Sequence, residues 1–252
     1  MILKHNYYTF PGAISKENCQ RIIQHGLTTM NVSKLQDPKS IVATTYGSKE
    51  KGTDENLKSA LGSLTPRGAK KKGVNLNSAY VRDSYTSWLS EKWMYDLIMP
   101  KVHTANKDAG WNFDLKDSEM FQFTVYKPGG FYGWHTDGRS DHFGSYRKAI
   151  PGISKKNKFG RFSEGLTDND FMVGLNRKIS VTINLTDKTN YKGGDLRFDF
   201  GTHSAKRYHT IKEAREQGSI IVFPSFLMHQ VTPVTKGTRY SLVLWTLGPP
   251  FK

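Results

Sequence analysis

The spacing of apolar residues changes along the chain. Between Phe10 and Gly26 it is helical: Ser15 can cap a helix that buries Cys19, Ile22 and Ile23 and that Gly26 can end. Trp88, Leu89, Trp93, Leu97 and Ile98 also recur at helical spacing. They predict a second helix from about Thr86 to His103, which Pro100 kinks or splits. Aromatic stripes of this kind belong to a core. From Glu119 onward the period becomes two. Phe121, Phe123 and Val125 alternate with Gln122, Thr124 and Tyr126, and Lys127-Pro128-Gly129-Gly130 breaks the run. Further strands are expected at Ile179 to Leu185, Asp195 to Phe198, Ser219 to Phe223 and Tyr240 to Trp245. Short strands joined by turns, with no helical stretch between them, argue for an antiparallel sandwich or barrel. The fold is then mainly β with flanking α: helical support over about 1–117, packed outside a β core over about 118–248.

Two segments fall outside this pattern. Gly47 to Gly73 is rich in Lys, Gly, Ser and Thr and reads as surface. Gly138 to Lys178 interrupts the strands and carries Arg147, Lys155, Lys156 and Lys158. A loop of that length inside a compact domain is functional or unstructured, and here it is expected to form a basic lid over substrate.

With 252 residues, 37% of them hydrophobic, the chain can bury one substantial core, so a single domain over 1–252 is expected. No apolar run approaches the length of a bilayer span, and none follows a basic start; a soluble cytoplasmic protein with no membrane contact is expected. Cys19 is the sole cysteine, which excludes an intrachain disulfide and any multi-thiolate metal site. A bound metal must therefore use His and carboxylate. The formal charge of +15 attracts polyanions, so nucleic acid is a possible partner, but net charge informs about association rather than chemistry.

His135 and Asp137 stand two apart in Tyr132-Gly133-Trp134-His135-Thr136-Asp137-Gly138, so on an extended segment both side chains leave one face. Such a pair is weak evidence until a third ligand joins it. His229 is that candidate: it follows an apolar strand, and Phe226, Leu227 and Met228 offer it a hydrophobic wall. Two His and one carboxylate on one octahedral face leave three positions free, the arrangement expected of non-haem Fe(II) oxygenases, whereas zinc more often keeps one open. Ten residues on, Arg239 shares a strand face with Ser241, Val243 and Trp245. A guanidinium at the rear of a mainly apolar barrel is costly without an anion, and a carboxylate ligand would satisfy it. Lys236, the rival cation, adjoins Gly237 in a turn and is expected to be exposed. Trp134 and Trp245 are assigned to core packing, and His203 and His209 to the surface.

In that order, Tyr126, the Pro-Gly-Gly turn, Tyr132 to Asp137, Gly193-Gly194-Asp195-Leu196, and His229-Gln230-Val231-Thr232-Pro233 through Arg239-Tyr240-Ser241 resemble the prolyl 4-hydroxylase-like branch of the Fe(II)/2-oxoglutarate oxygenases. The resemblance spans about half the chain and implies a double-stranded β-helix, or jelly-roll, core. It implies Fe(II) and O2 at the triad, and 2-oxoglutarate held by Arg239, Tyr126 and Ser241. It further implies hydroxylation of a C–H bond on a peptide or protein residue, proline first. Oxidation or demethylation of a nucleic-acid base, hydroxylation of a free amino acid or other small molecule, and a catalytically silent binding protein are the alternatives. Oligomeric state has no signature in the sequence.

Overall fold

A computed structural model of the chain describes residues 5–36, 42–43, 82–137, 175–201 and 207–250. The segment 47–73 and the greater part of the expected lid, with Arg147, Lys155, Lys156 and Lys158, lie outside the described residues, as does His203. The elements in chain order are β1 (Tyr8–Phe10), α1 (Lys16–Gln36), β2 (Val42–Ala43), β3 (Arg82–Leu89), α2 (Lys92–Asp108), β4 (Asp117–Ser118), β5 (Phe121–Tyr126) and β6 (Phe131–His135). There follow β7 (Asn176–Asn184), β8 (Tyr191–Gly193), β9 (Leu196–Asp199), β10 (Tyr208–Thr210), a 3-10 turn (Lys212–Arg215), β11 (Ile220–Pro224), β12 (Met228–Val231), β13 (Val234–Gly237) and β14 (Arg239–Gly248).

The strands follow one hydrogen-bonded path, β1-β11-β7-β14-β5-β3-β6-β12-β9-β10, and β13 pairs with β8 apart from it. Every pairing among the described strands is antiparallel. The path curls on itself: Ile221 and Phe223 of β11 pack against Leu196 and Phe198 of β9, although these strands lie far apart along it. The result is a double-stranded β-helix with helices outside.

Alternation along the central strands divides two environments. Phe121, Phe123 and Val125 of β5, Leu242 and Leu244 of β14, and Ile179, Val181 and Ile183 of β7 belong to the core that includes Cys19, Ile22 and Met30 of α1 and Met94, Ile98 and Val102 of α2. Their neighbours Gln122, Thr124, Ser180, Asn184, Arg239 and Ser241 are buried as well. They share register across the sheet, Arg239 beside Tyr126, Ser241 beside Thr124 and Asn184, and Val243 beside Gln122 and Thr182. A sheet face that is both polar and buried demands partners, and this one forms the floor of the site.

Two helix expectations are corrected. The segment from Thr86 to Leu89 belongs to β3, which inserts between β5 and β6, so the first 117 residues supply a central strand as well as helical support. Trp88 and Leu89 looked like part of a helical stripe because the helix α2 follows after only two residues. Pro100 lies inside α2. The other correction concerns Gly26. Ser15 does cap α1, its Oγ accepting from the Asn18 backbone N–H at 3.2 Å, but the helix runs through Gly26 to Gln36. Glycine is required there by close approach: a Cβ on Gly26 would lie 2.4 Å from the Phe123 ring, and the Gly26 carbonyl accepts from Ser87 Oγ at 3.0 Å. Gly→Ala inside a helix ordinarily gains about 1 kcal/mol. Gly26→Ala is expected to reverse that sign, since overpacking costs about 1–3 kcal/mol or more; a urea midpoint equal to or above wild type would contradict this contact. The insertion also ends earlier than expected, because Arg177 and Lys178 already belong to β7.

Candidate metal centre and anion pocket

The end of β6 and the start of β12 lie side by side, with His135 directly opposite His229. Asp137, two residues beyond His135, completes a cluster whose three ligand-type atoms lie within 4.8 Å of one another, all three residues being buried. His135 Nε2 is 3.6 Å from Asp137 Oδ1, and His229 Nε2 is 3.4 Å from Oδ2. The opposite ring nitrogens are tied to the backbone: His135 Nδ1 donates to the Gly133 carbonyl at 2.7 Å and His229 Nδ1 to the Leu227 carbonyl at 2.8 Å. A carbonyl can only accept, so each ring carries a hydrogen on Nδ1 and turns Nε2 toward the carboxylate. Burial, and next to it the His229 ring, push His135 down to about 3, so its Nε2 offers a free lone pair. Burial alone would raise the Asp137 carboxyl, but His229, His135 and Arg177 outweigh it and hold it below the usual carboxylate range.

The hydrophobic wall differs from the expected one. Phe226 and Met228 are 44% and 38% exposed, and Phe223 stands edge-on to His229 at 4.7 Å instead, with Phe198 behind it at 6.3 Å. Of the expected wall only Leu227 contributes, packed against the cluster that Phe198 and Phe223 belong to.

The triad opens into a cleft lined by residues including Arg82, Gln122, Tyr126, Tyr132, Val243, Trp245, Ser241 and Arg239. Arg239 is 2% exposed, and its Nε and Nη1 have no hydrogen-bond partner. Its guanidinium lies 5.4 Å from the Tyr126 ring. Gly194 makes room for it, since a Cβ there would meet Arg239 Cδ at 2.9 Å and Val234 at 3.0 Å. Lys236, by contrast, is exposed on β13. A buried cation with two free donors, in the same cleft as three convergent ligand atoms, is costly unless an anion occupies the space before it.

Several cleft residues were not singled out from sequence. Arg82 opens β3, donates to Ser84 Oγ at 2.7 Å and to Gln122 Oε1 at 2.8 Å, and lies 4.7 Å over the Tyr132 ring. Tyr132 stacks on His135 with ring centroids 3.5 Å apart. Trp245, assigned to core packing, lines the cleft; Arg177 covers its ring at 3.8 Å while pairing with buried Glu119. Trp88, 43% exposed, stands 6.3 Å from Trp245. Trp134 stays out of the cleft lining and stacks on Tyr208. His209, expected at the surface, is half-buried and bonded to Tyr7 at 3.2 Å. Trp88 sat in a segment read as helix, and Arg82 in the unassigned stretch just before it.

Fold and site thus define a β-helix protein with a two-His, one-carboxylate cluster that could hold a metal, beside a buried arginine whose Nε and Nη1 have no partner. The sequence model of a family described as the 2OG-Fe(II) oxygenase superfamily matches residues 121–247, just over half of the 252, and the chain belongs to that superfamily. That family description names the metal and the cosubstrate, Fe(II) and 2-oxoglutarate, and O2 is the oxidant of an oxygenase. A PKHD-type hydroxylase of Cupriavidus pinatubonensis is 33% identical over 110 residues, covering 38% of this chain and 45% of the relative. Another, of Synechococcus sp. strain CC9311, is 39% identical over 93 residues, covering 37% and 39%. The matches thus span less than half the length of these curated relatives. Among solved structures, the viral collagen prolyl hydroxylase of Paramecium Bursaria Chlorella virus-1, in complex with 2OG, superposes with a TM-score of 0.53 at 16% identity over 97% of both chains. The shared fold extends through the N-terminal elements. No helix among the described residues is long and apolar enough to cross a membrane.

Proposed function

We propose that this chain is a single-domain Fe(II)- and 2-oxoglutarate-dependent dioxygenase that hydroxylates a C–H bond of a peptidyl residue, proline first. The observation that carries the proposal is the pairing, in one cleft, of the convergent His135, Asp137 and His229 atoms with the buried, unpartnered Arg239. His135, Asp137 and His229 would hold the metal. Arg239 would take the far carboxylate of 2-oxoglutarate, with Tyr126 forming the adjacent wall and Ser241 beside it on the same strand face. Bound there, iron with 2-oxoglutarate and O2 supplies the oxidising power to insert one oxygen atom into a C–H bond, releasing succinate and carbon dioxide. The chain's part is positional. The Nδ1 bonds to Gly133 and Leu227 orient both imidazoles, and Phe223 and Phe198 exclude water on the His229 side.

Peptide is favoured over other substrate classes by the mouth of the cleft. Gln122 lines the cleft beside the triad, and Trp88, exposed next to Trp245, presents an indole face on which an aliphatic ring can lie. The PKHD-type hydroxylases and the prolyl hydroxylase with this fold agree with that choice. The test is succinate release from 2-oxoglutarate with Fe(II), screened over proline-containing peptides and single-stranded oligonucleotides. Stimulation by a peptide, with a matching gain of 16 mass units, is expected; stimulation by oligonucleotides alone would transfer the substrate to the nucleic-acid class that the charge of +15 attracts. Trp88→Ala should raise the half-saturation concentration for peptide by about two- to tenfold, the worth of one aromatic contact. Peptide-independent 2-oxoglutarate decay should be unchanged.

A further inference from the structure

We propose that Ser180, backed by Ser225, is a positioning residue that sets the orientation of the Asp137 carboxylate toward the metal, an inference that rests on the triad being the Fe(II) site. Ser180 stands in the middle of β7, between Phe223 on one neighbouring strand and Trp245 on the other. Its side chain is fully buried, and so is that of Ser225. Small polar residues at the centre of a nine-residue buried strand are costly unless each hydroxyl is paired. Here the pairing leads to the metal centre. Ser180 Oγ lies 2.8 Å from Asp137 Oδ2 and 2.9 Å from Ser225 Oγ. Ser180 has one hydrogen and a carboxylate only accepts, so Ser180 donates to Asp137 and Ser225 donates to Ser180.

The turn that carries Ser225 also fixes His229 and the Asp137 backbone. The Ser225 carbonyl accepts from the Asp137 N–H at 2.9 Å, the Ser225 N–H donates to the Lys178 carbonyl at 3.0 Å, and the Leu227 carbonyl, two residues on, accepts from His229 Nδ1. Residues 225–227 therefore hold Asp137 by its backbone and, through Ser180, by its side chain, and hold His229 by its ring. The hydroxyl on Oδ2 fills one lone pair of that oxygen and stops the carboxylate from rotating. That would disfavour capture of a bound metal by both carboxylate oxygens at once. Partners of this kind, one bond removed from the metal, alter affinity by about 10–100-fold when deleted.

The test uses metals that need no turnover. Mn(II) affinity by electron paramagnetic resonance and the visible absorption of the Co(II)-substituted protein are compared for wild type, Ser180→Ala, Ser225→Ala and His135→Ala, with thermal melts of the metal-free proteins alongside. Ser180→Ala is expected to weaken Mn(II) by about tenfold or more and to change the Co(II) bands. Ser225→Ala, which removes only the backing hydroxyl and adds no volume, should lie between Ser180→Ala and wild type whatever the first variant does to folding. Metal-free melting should move far less than affinity. Unchanged Mn(II) affinity and Co(II) bands in Ser180→Ala, or in Ser225→Ala if the first variant does not fold, would overturn the positioning role and leave the metal site standing. Wild-type protein that binds no Mn(II), or His135→Ala that binds it as tightly, would overturn the metal site itself and this role with it.

Discussion

Asp137→Ala is expected to abolish 2-oxoglutarate turnover and to leave the dialysed protein without iron, whereas wild type retains about one equivalent. The carboxylate is the only anionic member of the buried triad, so its removal takes away the charge that compensates a divalent cation as well as one ligand atom. The remaining imidazoles would hold Fe(II) as a two-ligand site open on four sides. His135→Ala and His229→Ala should do the same to turnover, with weaker metal retained in proportion to the ligands left. Asp137→Glu is informative because it keeps the charge and moves it by one methylene, away from the Ser180 hydroxyl at 2.8 Å. It should bind metal more weakly than wild type but better than Asp137→Ala. Near-wild-type succinate release by the Ala variant would remove Asp137 from the metal centre.

The triad could be named from the chain because its geometry is local. His135 and Asp137 are two residues apart on extended backbone, and a strand's period alone brings them to one face. His229 required one further step, its position after an apolar strand and its place in the ordered series of motifs that resembles the oxygenases. The same period put Arg239 and Ser241 on one face of β14, where a buried guanidinium was expected to need an anion. What failed did so where two periods overlap. Trp88 and Leu89 end a strand and Trp93 begins a helix, and their combined spacing imitates one longer helix. Gly26 looked like a terminator because the Phe123 ring that demands a glycine is contributed by residues almost a hundred positions away. Arg177, Glu119 and Ser180 carried no local signal at all: their meaning lies in Trp245 and Asp137, which only the pairing of β7 with β14 and β11 brings near.

Arg239→Met should raise the half-saturation concentration of 2-oxoglutarate by about ten- to a hundredfold, because hydrogen bonds to a charged group are worth about 1.5–3 kcal/mol. Met keeps most of the side chain's volume in the space that Gly194 leaves open, so packing beside Val234 is preserved. The ligand-free protein should lose little stability and even gain some, since the substitution deletes a buried cation whose Nε and Nη1 have no partner. The two expectations pull in opposite directions, which separates ligand binding from a structural role. In wild type loaded with Mn(II), 2-oxoglutarate at a hundred times its dissociation constant should add about 2.7 kcal/mol, or about 5–10 °C in melting temperature. In Arg239→Met about half of that shift should vanish if 2-oxoglutarate binds tenfold more weakly and most of it if a hundredfold, while Mn(II) alone still stabilises the variant because His135, Asp137 and His229 are untouched. Arg239→Lys should fall between the two, retaining the charge but not the two-donor fork. A variant that melts well below wild type without ligand yet keeps its full response to 2-oxoglutarate would make Arg239 a structural cation, and the anion would then have to be sought at Arg82, the other guanidinium that lines the cleft.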